Sequence, residues 1–367
     1  MNTEKQKIAF VLGTRPEIIK LSPVIRACIR NRLPYLIIHT GQHYSYELDK
    51  IFFKELNLPK PDYNLQVGSA PHGKQTGKML EGIEKILLKE KPAAVVTLGD
   101  PNSAFAGTLS AAKLHIPTYH LEAGRRSFNR DMPEELNRLM IDQISDVLFT
   151  PNEYTRQNLR NAGIENERII VSGDTIVDAV FENAEIAVEK SDILERYHLT
   201  PGKYFLATVH RPDNVENQER LSGIISAFQK IVAKYQYPLI FSVHPKTRKM
   251  IETFGIEVDG LILTEPLGYL DFLRLEMDAC VVLTDSGSLQ EEACVLKVPC
   301  VTLRDETERQ EMVEIGANVL VGADVLRVVE GVGMMIESER EWGEVFGEGK
   351  ICTESILKIL FGIIESG

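Results

Sequence analysis

Residues 279–293 read ACVVLTDSGSLQEEA, a sequence that contains a strand, a turn of small residues and the start of a helix. The apolar run 279–283 predicts a buried parallel strand, and a helical pattern follows the turn. Such a turn leaves backbone N–H groups at the positive end of a helix dipole, which is an anion site and most often a phosphate site. Glu292 lies about one turn into the helix, where a carboxylate would repel bare phosphate and suits a hydroxyl pair such as that of a ribose. An ordinary strand-to-helix turn with a serine cap is the alternative, and the turn alone does not decide between them.

Length and composition indicate a globular protein with more than one domain. The chain has 367 residues, which exceeds what one hydrophobic core usually serves. Its net charge of −12 argues against a nucleic-acid binder. The five cysteines are scattered without a C-x-x-C pair, which argues against a zinc or dithiol site. A polar N-terminus leads straight into a strand, and no signal peptide or membrane-spanning stretch is visible, so we expect a cytoplasmic protein.

Strand and helix patterns alternate along the whole chain, which predicts α/β domains with parallel sheets covered on both faces. A charged helical stretch, 177–201, separates the two halves and ends in the turn Leu-Thr-Pro-Gly at 199–202. We therefore expect an N-terminal domain at 1–176, a C-terminal domain at 177–350 and a terminal helix at 351–367 that packs back on the first domain. Two such domains facing each other would form a cleft at the C-terminal edges of both sheets. The predicted strands cover residues 8–12, 35–39, 94–98, 118–121, 147–150, 169–171, 205–209, 239–243, 261–264, 280–283, 300–303 and 319–321.

Three acidic residues of the first half lie at strand ends or helix starts. Asp100 and Glu122 follow strands, and Glu134 opens a helix. Neighbouring carboxylates shift each other's pKa values and divide into proton-bearing and ionised forms, which suits acid/base chemistry. Each acid has a structural alternative: Asp100 as a helix cap, Glu134 as a first-turn acid favoured by the dipole, and Glu122 in an ion pair with Arg126. For the three together we favour a catalytic role.

Basic and histidine residues follow other strands. Arg15 and Lys20 begin the first helix, where they can face the mouth of a cleft or remain solvated charges. His210 ends a strand and is a candidate base or phosphate donor. His244 precedes a proline in apolar surroundings, and we expect it to be structural.

Two further segments of the second half are candidates for nucleotide contacts. Residues 265–272, which include Leu267 and Phe272, offer backbone groups and a ring for a planar base, although such residues are often core. The charged loop 304–311 places Arg309 near a bound nucleotide, or forms salt bridges on the surface.

Taken together, these segments resemble the non-hydrolysing UDP-N-acetylglucosamine 2-epimerases. The matching pieces come in the family's order and extend from residue 13 to about 311. They are GTRPEIIK at 13–20, GD at 99–100, EAG at 122–124, PEE at 133–135, HR at 210–211, DSG at 285–287 and TER at 307–309.

The resemblance implies two Rossmann-like domains of the glycosyltransferase-B type, with the active site in the inter-domain cleft, and usually a homodimer. It implies interconversion of UDP-N-acetylglucosamine and UDP-N-acetylmannosamine, for cell-surface polysaccharide biosynthesis, without NAD or a required metal. Gln42 and His43 match part of the region where some bacterial relatives bind a second substrate molecule as an activator. The positions that match the catalytic set are Asp100, Glu122, Glu134 and His210. Those assigned to the substrate are Arg15, Lys20, Leu267, Phe272, Ser286, Gly287, Ser288, Glu292 and Arg309.

Several residues depart from the family's usual pattern. Pro101 stands where threonine is usual, Arg125 where leucine is usual, Ser288 where a second glycine is usual and Gln310 where proline is usual. If position 288 needs a positive φ, a serine there is strained. These changes keep the acids and His210 but leave the sugar's substituents open.

Other functions remain as alternatives. A 2-epimerase for a related UDP-amino sugar would share every motif, and a glycosyltransferase of the same fold would share the nucleotide half but need an acceptor site. A UDP-sugar-binding regulatory protein without activity is a third class, against which the intact catalytic set argues. A nicotinamide dehydrogenase is disfavoured because the turn after the first strand lacks G-x-G-x-x-G.

Overall fold

The structure is a computed structural model that describes residues 6–41, 46–343 and 351–366. Gln42 and His43 lie outside the described residues. The chain divides into an N-terminal unit, Met1–Ala179 with Phe346–Gly367, and a C-terminal unit, Val180–Val345. No helix in the described part of the chain is long and apolar enough to cross a membrane.

The strands and helices alternate in chain order. The strands are β1 (Ile8–Leu12), β2 (Tyr35–His39), β3 (Tyr63–Asn64), β4 (Ala94–Leu98), β5 (Thr118–Leu121), β6 (Val147–Thr150), β7 (Ile169–Val171), β8 (Phe205–Thr208), β9 (Leu239–Ser242), β10 (Ile262–Thr264), β11 (Val281–Thr284), β12 (Cys300–Thr302) and β13 (Asn318–Leu320). The helices are α1 (Arg15–Arg30), α2 (Tyr46–Glu55), α3 (His72–Glu90), α4 (Asn102–Lys113), α5 (Pro133–Ile144), α6 (Glu153–Asn161), α7 (Thr175–Lys190), α8 (Ile193–Arg196), α9 (Pro212–Val215), α10 (Gln218–Tyr235), α11 (Pro245–Phe254), α12 (Tyr269–Met277), α13 (Gly287–Val295), α14 (Gln310–Glu314), α15 (Val325–Glu337) and α16 (Ile351–Ser366).

Each unit is built on one parallel sheet. The N-terminal sheet has seven strands in the order β3-β2-β1-β4-β5-β6-β7, and the C-terminal sheet has six in the order β10-β9-β8-β11-β12-β13. Every strand pair is parallel. The central strands β1 and β4 are buried along their whole length, as expected for a parallel sheet with helices on both faces.

The predicted strands agree with those of the structure to within one residue at either end. The sequence missed β3, which has only two residues and pairs in parallel with β2. A strand of two residues is too short to show a hydrophobic period, and its place at the sheet edge depends on pairing with β2 alone.

The strand orders place a topological switch point in each sheet. In the N-terminal sheet β1 lies between β2 and β4, and in the C-terminal sheet β8 lies between β9 and β11. Ligands of open α/β sheets bind outside the carboxyl ends of the strands at such points. Gly13 and Gly99 follow the two central strands of the first sheet, and Val209 and Asp285 follow those of the second. The segments that begin at Gly13, Gly99 and Asp285 therefore follow strands at the switch points, as does His210, whereas Glu122 follows the next strand, β5.

The C-terminal helix α16 is part of the N-terminal unit, where it contacts α1. Thr353 ties its first turn to α7, because the Thr353 N–H and hydroxyl groups both donate to Oδ2 of Asp178, at 2.9 and 2.5 Å. The division between the units falls within α7, at Ala179.

Candidate active site

Glu122, directly after β5, is held by two cations of the N-terminal unit. The Lys20 Nζ atom of α1 donates to Oε2 at 2.9 Å, and the Arg125 Nε atom lies 2.9 Å from Oε1. Lys20 is 1% exposed, so this charge is buried and not at the surface. The Glu122 backbone has a φ of +66°, a left-handed conformation that is strained for a residue with a side chain. Such strain persists only where the surroundings enforce it, and here the loop is firmly anchored.

The anchor of this loop is a buried network around Asp142 of α5. His120 Nδ1 lies 2.8 Å from Oδ1 of Asp142, and Arg126 Nη1 lies 2.7 Å from Oδ2. Burial raises the pKa of Asp142, but the hydrogen bond and charge of His120 and the charge of Arg126 outweigh burial and lower it overall. The alternative pairing of Glu122 with Arg126 is therefore wrong. The Arg126 guanidinium is turned to Asp142 and to the Arg125 carbonyl oxygen, and Arg125 is the arginine that pairs with Glu122.

Asp100, after β4, is bound by α5 and does not cap a helix. Arg138 donates from Nε and Nη2 to Oδ2 of Asp100, at 2.9 and 2.6 Å. The helix cap of α4 is Pro101, so the capping alternative for Asp100 is wrong. Glu134 lies in the first turn of α5, half-buried, and among the residues that the structure describes it has no ion pair. Two of the three predicted acids are thus associated with α5. Asp100 binds Arg138 of this helix, and Glu134 is part of its first turn.

The start of α1 presents Arg15 and hides Glu17. Arg15 is half-buried, with its guanidinium carbon 5.1 Å from the ring centroid of Phe52. Glu17 is 1% exposed and accepts hydrogen bonds from the backbone of Gly13 and from the hydroxyl of Ser103. Glu17 lies within the motif GTRPEIIK at 13–20, but sequence reasoning gave this residue no role of its own.

In the C-terminal unit, Asp285 orients His210. The two residues follow adjacent strands, and Nδ1 of His210 lies 3.1 Å from Oδ1 of Asp285. The His210 side chain remains 41% exposed. Burial raises the pKa of Asp285, but the charge and hydrogen bond of His210, with those from Arg211 and Asn214, outweigh burial and hold it below its usual range. His210 therefore contacts a buried carboxylate through one ring nitrogen and is half-exposed to solvent.

His244 has the structural role that the sequence predicts. It caps α11, and its Nδ1 accepts the Lys246 N–H at 3.2 Å.

The turn 285–288 is the start of α13, and Ser286 is its N-cap. The Ser286 N–H already donates to Thr284 Oγ1 at 2.9 Å, so the first-turn N–H groups of Gly287 and Ser288 are the donors that a helix start leaves for an anion. Ser288 is helical and is not among the described residues with positive φ, so the serine there is unstrained. A Cβ added to Gly287 would lie 2.4 Å from Nη1 of Arg309, so the Arg309 side chain packs directly against the start of α13.

Arg309 and Glu292 are both buried beside this turn. Arg309 Nε lies 2.9 Å from Oε1 of Glu291, and Nη1 donates to Glu308. Glu292 is 5% exposed and lies near Glu276, a fully buried carboxyl of α12. Burial first, and then the charge of Glu292, raises the pKa of Glu276 well above its usual range.

Leu267 and Phe272 pack against the apolar cluster of the C-terminal unit that contains Leu289 of α13. Both side chains are half-buried, so this segment lies beside the helix that carries the turn.

The structure thus places the predicted residues in two groups. Around the first switch point, Lys20 contacts Glu122 directly. Around the second, His210 and the Ser286 turn meet at Asp285. The residues that sequence reasoning left without a role are Glu17, Arg138, Asp174, Glu276 and Asp285. The signal for Asp285 was available, because adjacent parallel strands ending in His210 and Asp285 bring their side chains together.

Comparisons with known proteins identify the family. A family model described as UDP-N-acetylglucosamine 2-epimerase matches residues 26–360. A UDP-N-acetylglucosamine 2-epimerase of Methanocaldococcus jannaschii is 50% identical over 361 residues, which is 96% of this chain and 98% of that protein. A UDP-2,3-diacetamido-2,3-dideoxy-D-glucuronate 2-epimerase of Pseudomonas aeruginosa is 41% identical over 351 residues, 94% of this chain and 96% of that protein.

Solved structures share the fold. The crystal structure of Methanocaldococcus jannaschii UDP-GlcNAc 2-epimerase in complex with UDP-GlcNAc and UDP has a TM-score of 0.92 at 50% identity, covering 97% of this chain and 99% of that one. A glycosyltransferase from Rickettsia africae, 13% identical, matches in fold alone, with a TM-score of 0.55 over 99% of this chain and 100% of that one. The predicted fold class, α/β with two parallel-sheet domains of the glycosyltransferase-B type, is confirmed. With a family model over most of its length and half of its residues shared with a full-length relative, the chain belongs to the UDP-N-acetylglucosamine 2-epimerase family.

Proposed function

We propose that this chain is an isomerase that interconverts UDP-N-acetylglucosamine and UDP-N-acetylmannosamine. The observation that carries the proposal is the 50% identity, over 96% of the chain, to the UDP-N-acetylglucosamine 2-epimerase of Methanocaldococcus jannaschii. A crystal structure of the corresponding relative holds UDP-GlcNAc and UDP, so we take a UDP-sugar as the ligand here.

The reaction must make an inert hydrogen acidic. The C2–H of the sugar becomes acidic when the C1–O bond to UDP breaks, because C1 is then oxocarbenium-like. Loss of the C2 proton gives UDP and a 2-acetamidoglucal with a C1–C2 double bond. Return of a proton to the other face of C2, and of UDP to C1, inverts C2 without net consumption of protons. The enzyme must therefore supply acid/base groups for C2 and positive charge for the diphosphate.

We assign the proton transfers to Asp100, Glu122 and Glu134. Their environments differ, which suits a division into donors and acceptors. Glu122 contacts the cations Lys20 and Arg125, Asp100 contacts Arg138, and Glu134 lies half-buried at the start of α5.

We assign the diphosphate to Arg15, His210 and the first-turn N–H groups of α13. The Asp285 carboxylate holds His210 through Nδ1, which leaves the other ring nitrogen of this partly exposed side chain to contact the departing phosphate. Glu292 is assigned to the ribose hydroxyls, and Leu267 and Phe272 to the uracil. Arg309 lies against Gly287 at the start of the same helix, where its charge would add to the anion site.

A related UDP-amino sugar is the second candidate substrate. The 41% identity to a 2-epimerase named for a diacetamido-dideoxyglucuronate favours it, because the elimination at C1 and C2 is the same chemistry. The substitutions Pro101 and Ser288 lie beside the proposed catalytic acid and diphosphate site, where they would affect the shape of the site.

The test is incubation of the purified protein with UDP-N-acetylglucosamine alone in deuterated water, followed by proton NMR. We expect the manno epimer to form without any acceptor and to carry deuterium at C2. Epimer formed with protium retained at C2 would exclude the elimination route. A parallel incubation with the diacetamido-glucuronate nucleotide decides between the two sugars, and turnover only on addition of an acceptor sugar would identify a glycosyltransferase instead.

We also propose a homodimer located in the cytoplasm. Light scattering after size exclusion tests the dimer, and a mass of one chain at micromolar concentration would contradict it.

A further inference from the structure

Arg125 bridges two carboxylates inside the N-terminal unit. Its Nε atom lies 2.9 Å from Oε1 of Glu122, and its Nη2 atom donates to Oδ2 of Asp174 at 2.9 Å. Arg125 and Asp174 are each 3% exposed, so the bridge is shielded from solvent. Asp174 is itself fixed, because its Oδ1 accepts the Ile176 N–H at the start of α7. The guanidinium is therefore held in one orientation towards Glu122.

We propose that Arg125 is a positioning residue that holds Glu122 as an ionised carboxylate in a fixed orientation. The inference rests on the proposed function, since it takes Glu122 as one of the reacting carboxylates. An ionised Glu122 can accept a proton or stabilise the positive charge that develops at C1 of the sugar. Proton donation then falls to Asp100 or Glu134.

The geometry around Glu122 supports a charged state. Each carboxylate oxygen faces a cation, Oε2 facing Lys20 and Oε1 facing Arg125. Burial opposes ionisation of the Glu122 carboxyl, and the two opposite charges at this distance favour the charged form.

Within the N-terminal unit, two other acids near this loop have partners of their own. Asp142 is paired with His120 and Arg126, and Asp100 is paired with Arg138. Asp174 faces Glu122 through Arg125. Removal of Arg125 therefore changes the charge next to Glu122 while these other pairs remain.

The variant that tests this is Arg125→Leu together with Asp174→Asn. Arg125→Leu alone would leave Asp174 as a buried charge without its guanidinium, which can unfold the unit. The double variant removes one positive and one negative charge, so the net charge of the protein is unchanged. Arg156→Leu, at a partly exposed arginine of α6 that pairs with Glu153, is the matched control.

The measurement is a pH titration of carboxyl-carbon-labelled glutamate by ¹³C NMR, with Glu122→Gln assigning the Glu122 signal. Asp174→Asn alone is the reference, because it lacks the same carboxylate but keeps Arg125. We expect the Glu122 midpoint to lie about one pH unit or more higher in the double variant than in Asp174→Asn, and the acid limb of kcat/KM to move with it. Arg125→Lys should restore part of the shift, because an ammonium keeps the charge without the fork.

The same Glu122 midpoint in the folded double variant and in Asp174→Asn would overturn the inference and leave Arg125 with a merely structural role. The NMR midpoint does not require turnover, so it is independent of the substrate. If the midpoint moves while the wild-type protein forms no epimer, the charge assignment of Glu122 stands and the proposed function fails.

Discussion

At the residue scale, Glu17 shows how burial competes with hydrogen bonding. Its carboxylate is 1% exposed and accepts from the Gly13 and Thr14 N–H groups and from the Thr14 and Ser103 hydroxyls, at 2.8–2.9 Å. Burial outweighs these bonds and raises the pKa of Glu17 from 4.5 to about 7. The residue joins the loop after β1 to the start of α4, which follows Asp100.

We predict that Glu17 makes stability pH-dependent near neutrality. Its folded pKa lies above its unfolded value, so the contribution is fully present below about pH 4.5 and is lost as the pH rises to about 7. Relative to Glu17→Gln, the wild type should lose up to about 3 kcal/mol of unfolding free energy across that window. Urea denaturation of both proteins between pH 4.5 and 8 measures it, with Glu153→Gln as the exposed control. The prediction would be contradicted if the unfolding free energy of the wild type increased relative to that of Glu17→Gln as the pH rises.

Asp100 is the acid whose role is most easily separated from folding. It is partly exposed, and its Oδ2 accepts both hydrogen bonds from Arg138. An asparagine there can still accept from the guanidinium through its amide oxygen, but it cannot exchange a proton with the sugar.

We predict that Asp100→Asn lowers kcat at least about a hundredfold, the usual contribution of a positioned acid or base. UDP affinity, measured by calorimetry, should change less than about twofold, because the diphosphate is assigned to other residues. Asp131→Asn, on the exposed loop before α5, is the control. Loss of UDP binding in Asp100→Asn would refute the proposed division of roles.

At the element scale, the loop after β5 is kept in place by backbone packing as well as charge. Gly124 has a φ of +81°, and a Cβ on it would lie 2.2 Å from the Thr155 carbonyl oxygen of α6. Asn158 of the same helix donates to the Gly124 carbonyl at 3.0 Å. The loop therefore approaches α6 at a distance that only glycine permits, and this approach helps to fix Glu122 two residues earlier.

We predict that Gly124→Ala destabilises the N-terminal unit far more than Gly163→Ala. Both glycines have φ near +80°, but a Cβ on Gly163 meets nothing within 4 Å. The backbone conformation alone should cost about 1–2 kcal/mol in Gly163→Ala. The collision with Thr155 should bring Gly124→Ala above about 3 kcal/mol, measured by urea denaturation. Equal losses in the two variants would show that the close approach to α6 has no energetic weight.

At the scale of the whole molecule, the two units repeat one plan. Each has a central strand flanked on both sides and polar residues after the strands of its switch point. The first unit carries the predicted acids, and the second carries the helix start assigned to the diphosphate. The net charge of −12 offers no general attraction for an anionic ligand, so binding must depend on these local groups.

We predict that UDP alone stabilises the C-terminal unit at its switch point. At a hundredfold excess over Kd, a ligand adds about 2.7 kcal/mol to the unfolding free energy of what it binds. Hydrogen exchange read by mass spectrometry should slow in peptides covering 205–211 and 281–292, and remain unchanged in surface turns such as 236–238. Protection confined to peptides of the N-terminal unit would contradict the assignment.

The loops between the strands show where sequence reasoning reached its limit. The alternative that paired Glu122 with Arg126 was wrong because spacing implies a contact only if the backbone conformation is known. Ser288 illustrates the same limit. Whether a serine is strained at this position depends on its φ angle, and the structure shows an ordinary residue in the first turn of a helix. The missed strand β3 depends on a partner 25 residues earlier along the chain.

The sequence by itself determined the family, the α/β class, almost every strand and the polar segments that follow them. These features are local: apolar runs between small residues produce buried strands, and motif order survives without coordinates. Only the tertiary structure decided that Lys20 is buried against Glu122, that Arg125 reaches Asp174 and that Asp285 faces His210. Such pairs join residues up to 102 positions apart, and they depend on strand register, loop conformation and burial, which no short stretch of sequence contains.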